Sequence, residues 1–344
     1  MTIGKVSRKL EQTAWRLKNK ILPGVLILMY HRVAEVDSDP WSLCVSPEHF
    51  AEHLEVLRKH RYPLSLQQLT ETIRVRQPIK RSVVITFDDG YADNFYNAKP
   101  LLKRHDIPAT VFVTTGGIGH RREFWWDELD RLLLQPGILP EILQLTINDS
   151  TYTWELGEAA YYSQADYQFY RHWSAAGKED PTLRHTLYRS LYQLLYPLST
   201  HKREKVLEAI RVWANAEPIG RSTHRSMSPE ELLALEEGGL IEVGAHTVTH
   251  PFLSKLPVAY QQDEIQQSKH YLEEILGHPV TSFSYPHGDY TTNTISIIKE
   301  AGFTCACSSV VDRVQEHSNS FLLPRVEVQD WDGKTFTRWL SRWL

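Results

Sequence analysis

Six short apolar runs, separated by stretches carrying helix punctuation, constrain this chain more than any other feature of it. They are Val25-Leu-Ile-Leu-Met-Tyr30, Ser82-Val-Val-Ile-Thr-Phe87, Ala109-Thr-Val-Phe-Val-Thr114, Ile241-Glu-Val-Gly-Ala245, Ser282-Phe-Ser-Tyr285 and Thr304 to Ser308. Ser46-Pro-Glu-His-Phe50 supplies a cap, a proline at the first helical position and an acid in the first turn, which predicts a helix to about His60. Similar signals predict helices after Ser65, from Tyr96 to His105, after Ser228, from about Tyr260 to Leu276 and from Thr292 to Ala301. Buried strands alternating with helices pair in parallel through helical crossovers. The reading is α/β: a closed or nearly closed, distorted (β/α) barrel.

Between Trp126 and His224 this rhythm stops. The stretch is rich in helix formers and aromatics and lacks marked strands apart from a hairpin signal near Leu145 to Trp154. It reads as a mainly helical insertion over residues 127–224, within a barrel built from 25–126 and 225–344 and preceded by a basic segment, 1–24. The aromatics Tyr161, Tyr162, Tyr167, Phe169, Tyr170, Trp173, Tyr188, Tyr192 and Tyr196, at helical spacing, are expected in the insertion's core.

Hydrophobic residues at 42% and charged residues at 23% suffice for a substantial core and speak against disorder. A net charge of -4 gives no global electrostatic reason to bind nucleic acid, so none is expected as a partner. The three cysteines, Cys44, Cys305 and Cys307, form no disulfide framework. No secretion signal is read at the N-terminus and the location is taken as cytoplasmic. Residues 1–20 mix Ile3, Val6, Leu10, Trp15 and Leu17 with six basic residues, a pattern that fits peripheral contact with an anionic membrane or simple packing on the domain.

The chemistry is concentrated at strand ends. Asp88-Asp89-Gly90 follows the second run, where barrel enzymes carry their catalytic groups. Adjacent carboxylates repel unless a cation or hydrogen bonds compensate them, which hints at a metal. An Asp-Asp-Gly turn is the plain alternative. His246-Thr-Val-Thr-His250 follows the fourth run, and Gly244 and Pro251 mark a strand-to-loop turn rather than a helical face. Two imidazoles with one carboxylate, Asp89, make a three-ligand hydrolytic metal site with positions left for water and substrate. Each half is modest evidence; both at strand ends are stronger.

Thr86-Phe-Asp-Asp-Gly90 followed by His246-Thr-x-x-His250 resembles the polysaccharide deacetylases of carbohydrate esterase family four, the NodB-homology fold, over about residues 25–126 and 226–330. The resemblance implies Asp88 as catalytic base, Asp89, His246 and His250 as metal ligands, and a divalent ion, Zn2+ foremost, with Co2+ or Ni2+ able to substitute. Two departures stand out. Ser284-Tyr-Pro-His-Gly288 has Ser where the family's third motif has Arg, which puts Arg325 forward as the replacement cation. The family's C-terminal Leu-x-His is absent. Leu28-Met-Tyr-His-Arg-Val33 instead resembles the branch of poly-N-acetylglucosamine deacetylases whose acid histidine lies on the first strand, which makes His31 the general acid. Tyr91, by a backbone N–H, with Tyr285, Pro286 and His287, and Trp125 and Trp126 as groove residues, is expected to meet the substrate. The implied activity is removal of acetyl groups from N-acetylated sugars of a polysaccharide, such as an exopolysaccharide, or of a glycan precursor. An O-deacetylase or another amide hydrolase on the same fold, or a catalytically silent glycan-binding protein, are the alternatives.

Overall fold

The computed structural model describes residues 24–60, 62–78, 81–120 and 122–343. The basic segment expected over residues 1–24 lies almost wholly outside them. Eight strands form one sheet: β1 (Val25–Tyr30), β2 (Tyr62–Pro63), β3 (Ser82–Phe87), β4 (Ala109–Val113), β5 (Ile241–Ala245), β6 (Ser282–Ser284), β7 (Cys305–Cys307) and β8 (Val326–Glu327). The order is β7-β6-β5-β4-β3-β1-β8, with β2 beside the start of β3, and every pairing is parallel. The circle is drawn together by the segment before β8. Leu323 bridges Cys307 in parallel, and three residues on Val326 pairs with Leu28. The fold is therefore a distorted (β/α) barrel. β1, β3 and β4 are buried almost throughout, as strands covered on both faces must be.

The barrel helices are α1 (Pro47–His60), α2 (Leu66–Arg74), α3 (Lys99–His105), α8 (Pro229–Glu236), α9 (Val258–Leu276), α10 (Thr292–Glu300) and α11 (Gly333–Leu340); between α3 and α8 run α4 (Trp125–Leu133), α5 (Gln164–Tyr170), α6 (Leu183–Leu195) and α7 (Thr200–Trp213). α8 starts on a capping box in which Ser228 and Glu231 satisfy each other's backbone N–H groups. Among the described residues no helix is long and apolar enough to cross a membrane.

α4, α6 and α7 share a second hydrophobic cluster with the antiparallel hairpin Ile142–Ile147 and Ser150–Glu155, built on Leu129, Leu133, Leu143, Leu187, Leu191, Leu207 and Ile210. The buried Arg184 ties this layer together by donating to the carbonyls of Leu133, Gln135, Gly137, Ala159 and Ala160. It satisfies carbonyls at the end of α4 that have no partner within the helix. Strands β2 and β8, of two residues each, are too brief to read as runs, and α11 was not anticipated although Phe336, Trp339, Leu340 and Trp343 recur at helical spacing after the Asp332 cap.

Close approach at the barrel core explains Gly244. A Cβ there would lie 2.5 Å from Phe112 Cδ1 and 2.6 Å from Ser282 Oγ, on neighbouring strands that cannot move apart without breaking the sheet. Gly244→Ala is expected to cost about 1–3 kcal/mol through overpacking, read as a lower urea midpoint; an unchanged midpoint would show that the sheet yields there.

Candidate active site

Four strands deliver their next residues to one end of the barrel. β1 leads into His31, β3 into Asp88 and Asp89, β5 into His246, and β6 into Tyr285 and His287. His31, Asp88, Asp89, His246, His250, Tyr285, His287 and Arg325 all border one cleft of about 380 Å3.

The backbone here is held in conformations that side chains rarely adopt. Asp89 (φ 73), Thr247 (φ 65), His250 (φ 55) and His287 (φ 58) all have positive φ. A β-branched Thr at positive φ is a genuine outlier, and such strain persists only where surroundings over-determine it. They do so here. Thr247 Oγ1 accepts from His250 N–H at 3.0 Å, Thr247 O accepts from Thr115 N–H, and Val248 O accepts from Gly116 N–H. Glu264, on α9, accepts from Val248 N–H, Thr249 N–H and the Thr249 hydroxyl. The loop that carries His250 back toward Asp89 is thus pinned from two sides.

Asp89 Oδ1 lies 3.7 Å from His246 Nε2 and 3.5 Å from His250 Nε2, and the three ligand atoms fall within 4.8 Å of one another. Asp89 Oδ1 is buried without a hydrogen-bond partner, an arrangement that is costly for a carboxylate unless a cation completes it. His246 Nδ1 lies 2.8 Å from Ser284 O, which fixes the ring and leaves Nε2 facing Asp89, as metal-bound imidazoles are held. Burial pushes both imidazoles down, His250 well below the ordinary histidine value, so both stay neutral with lone pairs to give. The donor set fits a divalent cation.

Asp88 sits beside this trio in a different electrostatic setting. Arg325 Nη1 donates to Oδ1 and Nη2 to Oδ2, both at 2.7 Å, with the two side chains buried. Burial alone would raise the Asp88 carboxyl. The Arg325 guanidinium outweighs it, with smaller help from His246 and His31, and holds the group at about 2. Asp89, lacking such a partner, is raised by burial. Adjacent carboxylates are driven apart by their surroundings, a pattern typical of sites that divide acid–base and electrostatic roles. Ser284 joins in: its Oγ accepts from Arg325 Nη2 at 2.7 Å and lies 3.4 Å from Asp88 Oδ2. Thr86 Oγ1 and Ser308 O take two further guanidinium N–H groups.

The remaining sequence-derived candidates divide. His31 borders the cleft, and its carbonyl accepts from Asn94 Nδ2 at 2.9 Å. His287 stacks on Phe252 at 4.1 Å, lies 4.4 Å from the His250 ring, and is pushed down to about 3 by burial, so it is neutral near pH 7. Tyr285 is fully buried and donates to Phe321 O; Pro286 is buried outside the cleft lining. The Tyr91 ring is also fully buried, so its phenol is not a substrate contact. It donates to Asp127 Oδ2 at 2.7 Å and accepts from Trp126 Nε1 at 2.8 Å. Trp126 borders the cleft with its ring 5.2 Å from that of His250; Trp125 packs behind it. Unforeseen are Trp41 and Tyr192, which wall the same cleft.

A family model described as polysaccharide deacetylase matches residues 75–155 and 195–306, more than half of the chain. The chain belongs to the polysaccharide deacetylase family. Within that family, a Bacillus subtilis (strain 168) protein, YxkH, named as a candidate polysaccharide deacetylase, is 29% identical over 129 residues, covering 37% of this chain and 45% of YxkH. The poly-beta-1,6-N-acetyl-D-glucosamine N-deacetylase of Staphylococcus aureus (strain MSSA476) is 32% identical over 107 residues, covering 27% of this chain and 37% of that protein. The matched stretches span less than half of these curated relatives. IcaB from Ammonifex degensii shares the fold with a TM-score of 0.57 at 18% identity, over 92% of this chain and 97% of IcaB. The Streptococcus pyogenes deacetylase PplD, solved in complex with acetate, gives 0.56 at 17% identity, over 92% and 98%. The family match enters the segment read as an insertion from both sides and leaves residues 156–194 unmatched.

Proposed function

We propose that this chain is a divalent-metal-dependent hydrolase that removes acetyl groups from N-acetylated sugars of a glycan or glycan precursor. What carries the reading is the pairing, on one cleft, of a three-donor metal site with a separate carboxylate, Asp88, kept ionised by Arg325. Asp89, His246 and His250 would hold the ion, Zn2+ foremost. Such an ion supplies Lewis-acid polarisation of a carbonyl and makes water a stronger acid.

The side chains supply the rest. Arg325 keeps Asp88 charged and fixes the plane of its carboxylate, and while Oδ2 also accepts from the Ser284 hydroxyl, Oδ1 retains a second lone pair for a water proton. Asp88 takes that proton as water adds to the acetyl carbon. His31, on the same cleft, gives a proton to the departing amine nitrogen. The C–N bond breaks, a C–O bond forms from water, and the products are acetate and a protonated sugar amine. Trp41, half-buried on the cleft wall, is an aromatic of the kind that packs on pyranose rings.

Acetate release from N-acetylglucosamine oligomers of β-1,4 and β-1,6 linkage tests the proposal. The name of the staphylococcal relative makes the β-1,6 series the first to try. Release is expected to stop after dialysis against a chelator and to return on adding Zn2+, Co2+ or Ni2+. Release that survives complete metal removal would refute metal dependence, and sugar binding without acetate would leave a glycan-binding protein.

A further inference from the structure

Tyr192 comes from the part of the chain that the family model leaves unmatched, between residues 155 and 195. It lies near the end of α6 and reaches the cleft that holds Asp88, Asp89 and His246. The Tyr188-Tyr192-Tyr196 stripe on this helix and its continuation does not lie in a single core. Tyr188 is fully buried, while Tyr192 and Tyr196 are half-buried.

The Tyr192 ring is held among aromatic neighbours and is half-buried at the cleft wall. Trp41 packs on it at 4.0 Å with the rings inclined by 35°, and Trp125 and Tyr196 pack at 4.8 and 5.4 Å. Trp41 is itself tied to α6, because its Nε1–H donates to the Tyr188 hydroxyl at 2.7 Å. The hydroxyl of Tyr192 makes no hydrogen bond to any described residue. Burial lowers its acidity, so it remains a neutral O–H donor. A rigid aromatic with a spare hydroxyl, on the wall of a cleft bearing hydrolytic groups, is the equipment of ligand recognition.

We propose that Tyr192, backed by Trp41, is a specificity-determining contact for the substrate sugar. Its ring packs on a pyranose face and its hydroxyl bonds a polar group of the same residue, at a wall that the segment outside the family match adds to the barrel. The inference rests on the deacetylase reading for its substrate class.

The test compares parent, Tyr192→Phe and Tyr192→Ala in acetate release from the β-1,4 and β-1,6 N-acetylglucosamine oligomers, with melting temperatures. Tyr192→Phe removes only the O–H and is expected to raise KM about 5- to 10-fold with kcat within about two-fold of the parent. Tyr192→Ala also removes the ring face and is expected to raise KM about ten-fold further. Parental KM in both variants overturns the proposal, as does a loss of kcat that follows a lowered melting temperature with KM unchanged. If the parent releases no acetate, the deacetylase reading fails, and tryptophan-fluorescence titration with the same oligomers decides the contact. Binding at least about ten-fold weaker in Tyr192→Ala supports it; equal affinity, or no binding by the parent, overturns it.

Discussion

Asp88→Asn is expected to lower acetate release by about 10²- to 10⁴-fold, the usual range for loss of a general base, while the protein keeps its metal. The metal survives because its three donors, on Asp89, His246 and His250, are untouched. The substituted amide offers Arg325 one acceptor where Asp88 offered two, and it leaves a buried guanidinium without its counter-charge. Removing one partner of a buried pair costs about 3–5 kcal/mol, so the variant should also melt lower and must be assayed well below its melting temperature. His246→Ala is the control with the opposite signature. It removes a ligand and should lose both turnover and bound metal. Metal content by elemental analysis beside acetate release separates the two. Equal metal loss in both variants would sink the division of roles, and full turnover in Asp88→Asn would remove the base from Asp88.

The sequence shows those four residues because each is anchored to a local signal. Buried β-branched runs announce β3 and β5, and the polar groups that follow them sit where a parallel barrel opens. Local signals end there. Arg325 is 237 residues from Asp88, and only the closure of the barrel through Leu323 and Val326 brings it to the carboxylate; in the sequence it is one Arg after a Pro. The side chain of Tyr91 is hidden for a related reason: the expectation concerns only its backbone N–H beside Asp-Asp-Gly, and nothing local says that the ring turns into the interior to meet Asp127 and Trp126. For Tyr192 the helical stripe identifies a face, and periodicity does not say that this face passes from a core into a cleft within two turns. The strain at Thr247 and His250 was likewise unreadable, because neither residue type announces positive φ.

Arg325→Met is expected to move the acid side of the pH–rate profile upward. In the parent, burial raises the Asp88 carboxyl and the bidentate Arg325 overcomes that, leaving Asp88 at about 2. The base is then ionised across the whole range in which the protein can be assayed, and loss of activity in acid must come from other groups. With the guanidinium gone the main opposing influence vanishes and burial is met only by the smaller pull of His246 and His31, so the pKa of Asp88 rises. Protonated Asp88 cannot accept a proton, so the variant loses rate as pH falls through this new and higher value and recovers as pH rises. The same shift fixes the sign for stability. A carboxyl depressed in the folded protein stabilises it above the unfolded pKa, and that contribution is lost as pH falls toward about 2. Without Arg325 the sign reverses: a raised folded pKa makes the variant's deficit grow as pH rises from about 4. Arg325→Lys keeps the charge but cannot bond both oxygens in one plane, so it should restore the position of the acid limb better than it restores kcat. At Ser284 the side chain is small and its hydroxyl accepts from the same guanidinium, so Ser284→Ala should change the profile little. If Arg325→Met keeps the parental acid limb, then Arg325 does not set the ionisation of Asp88, and the base is held by some other part of the barrel.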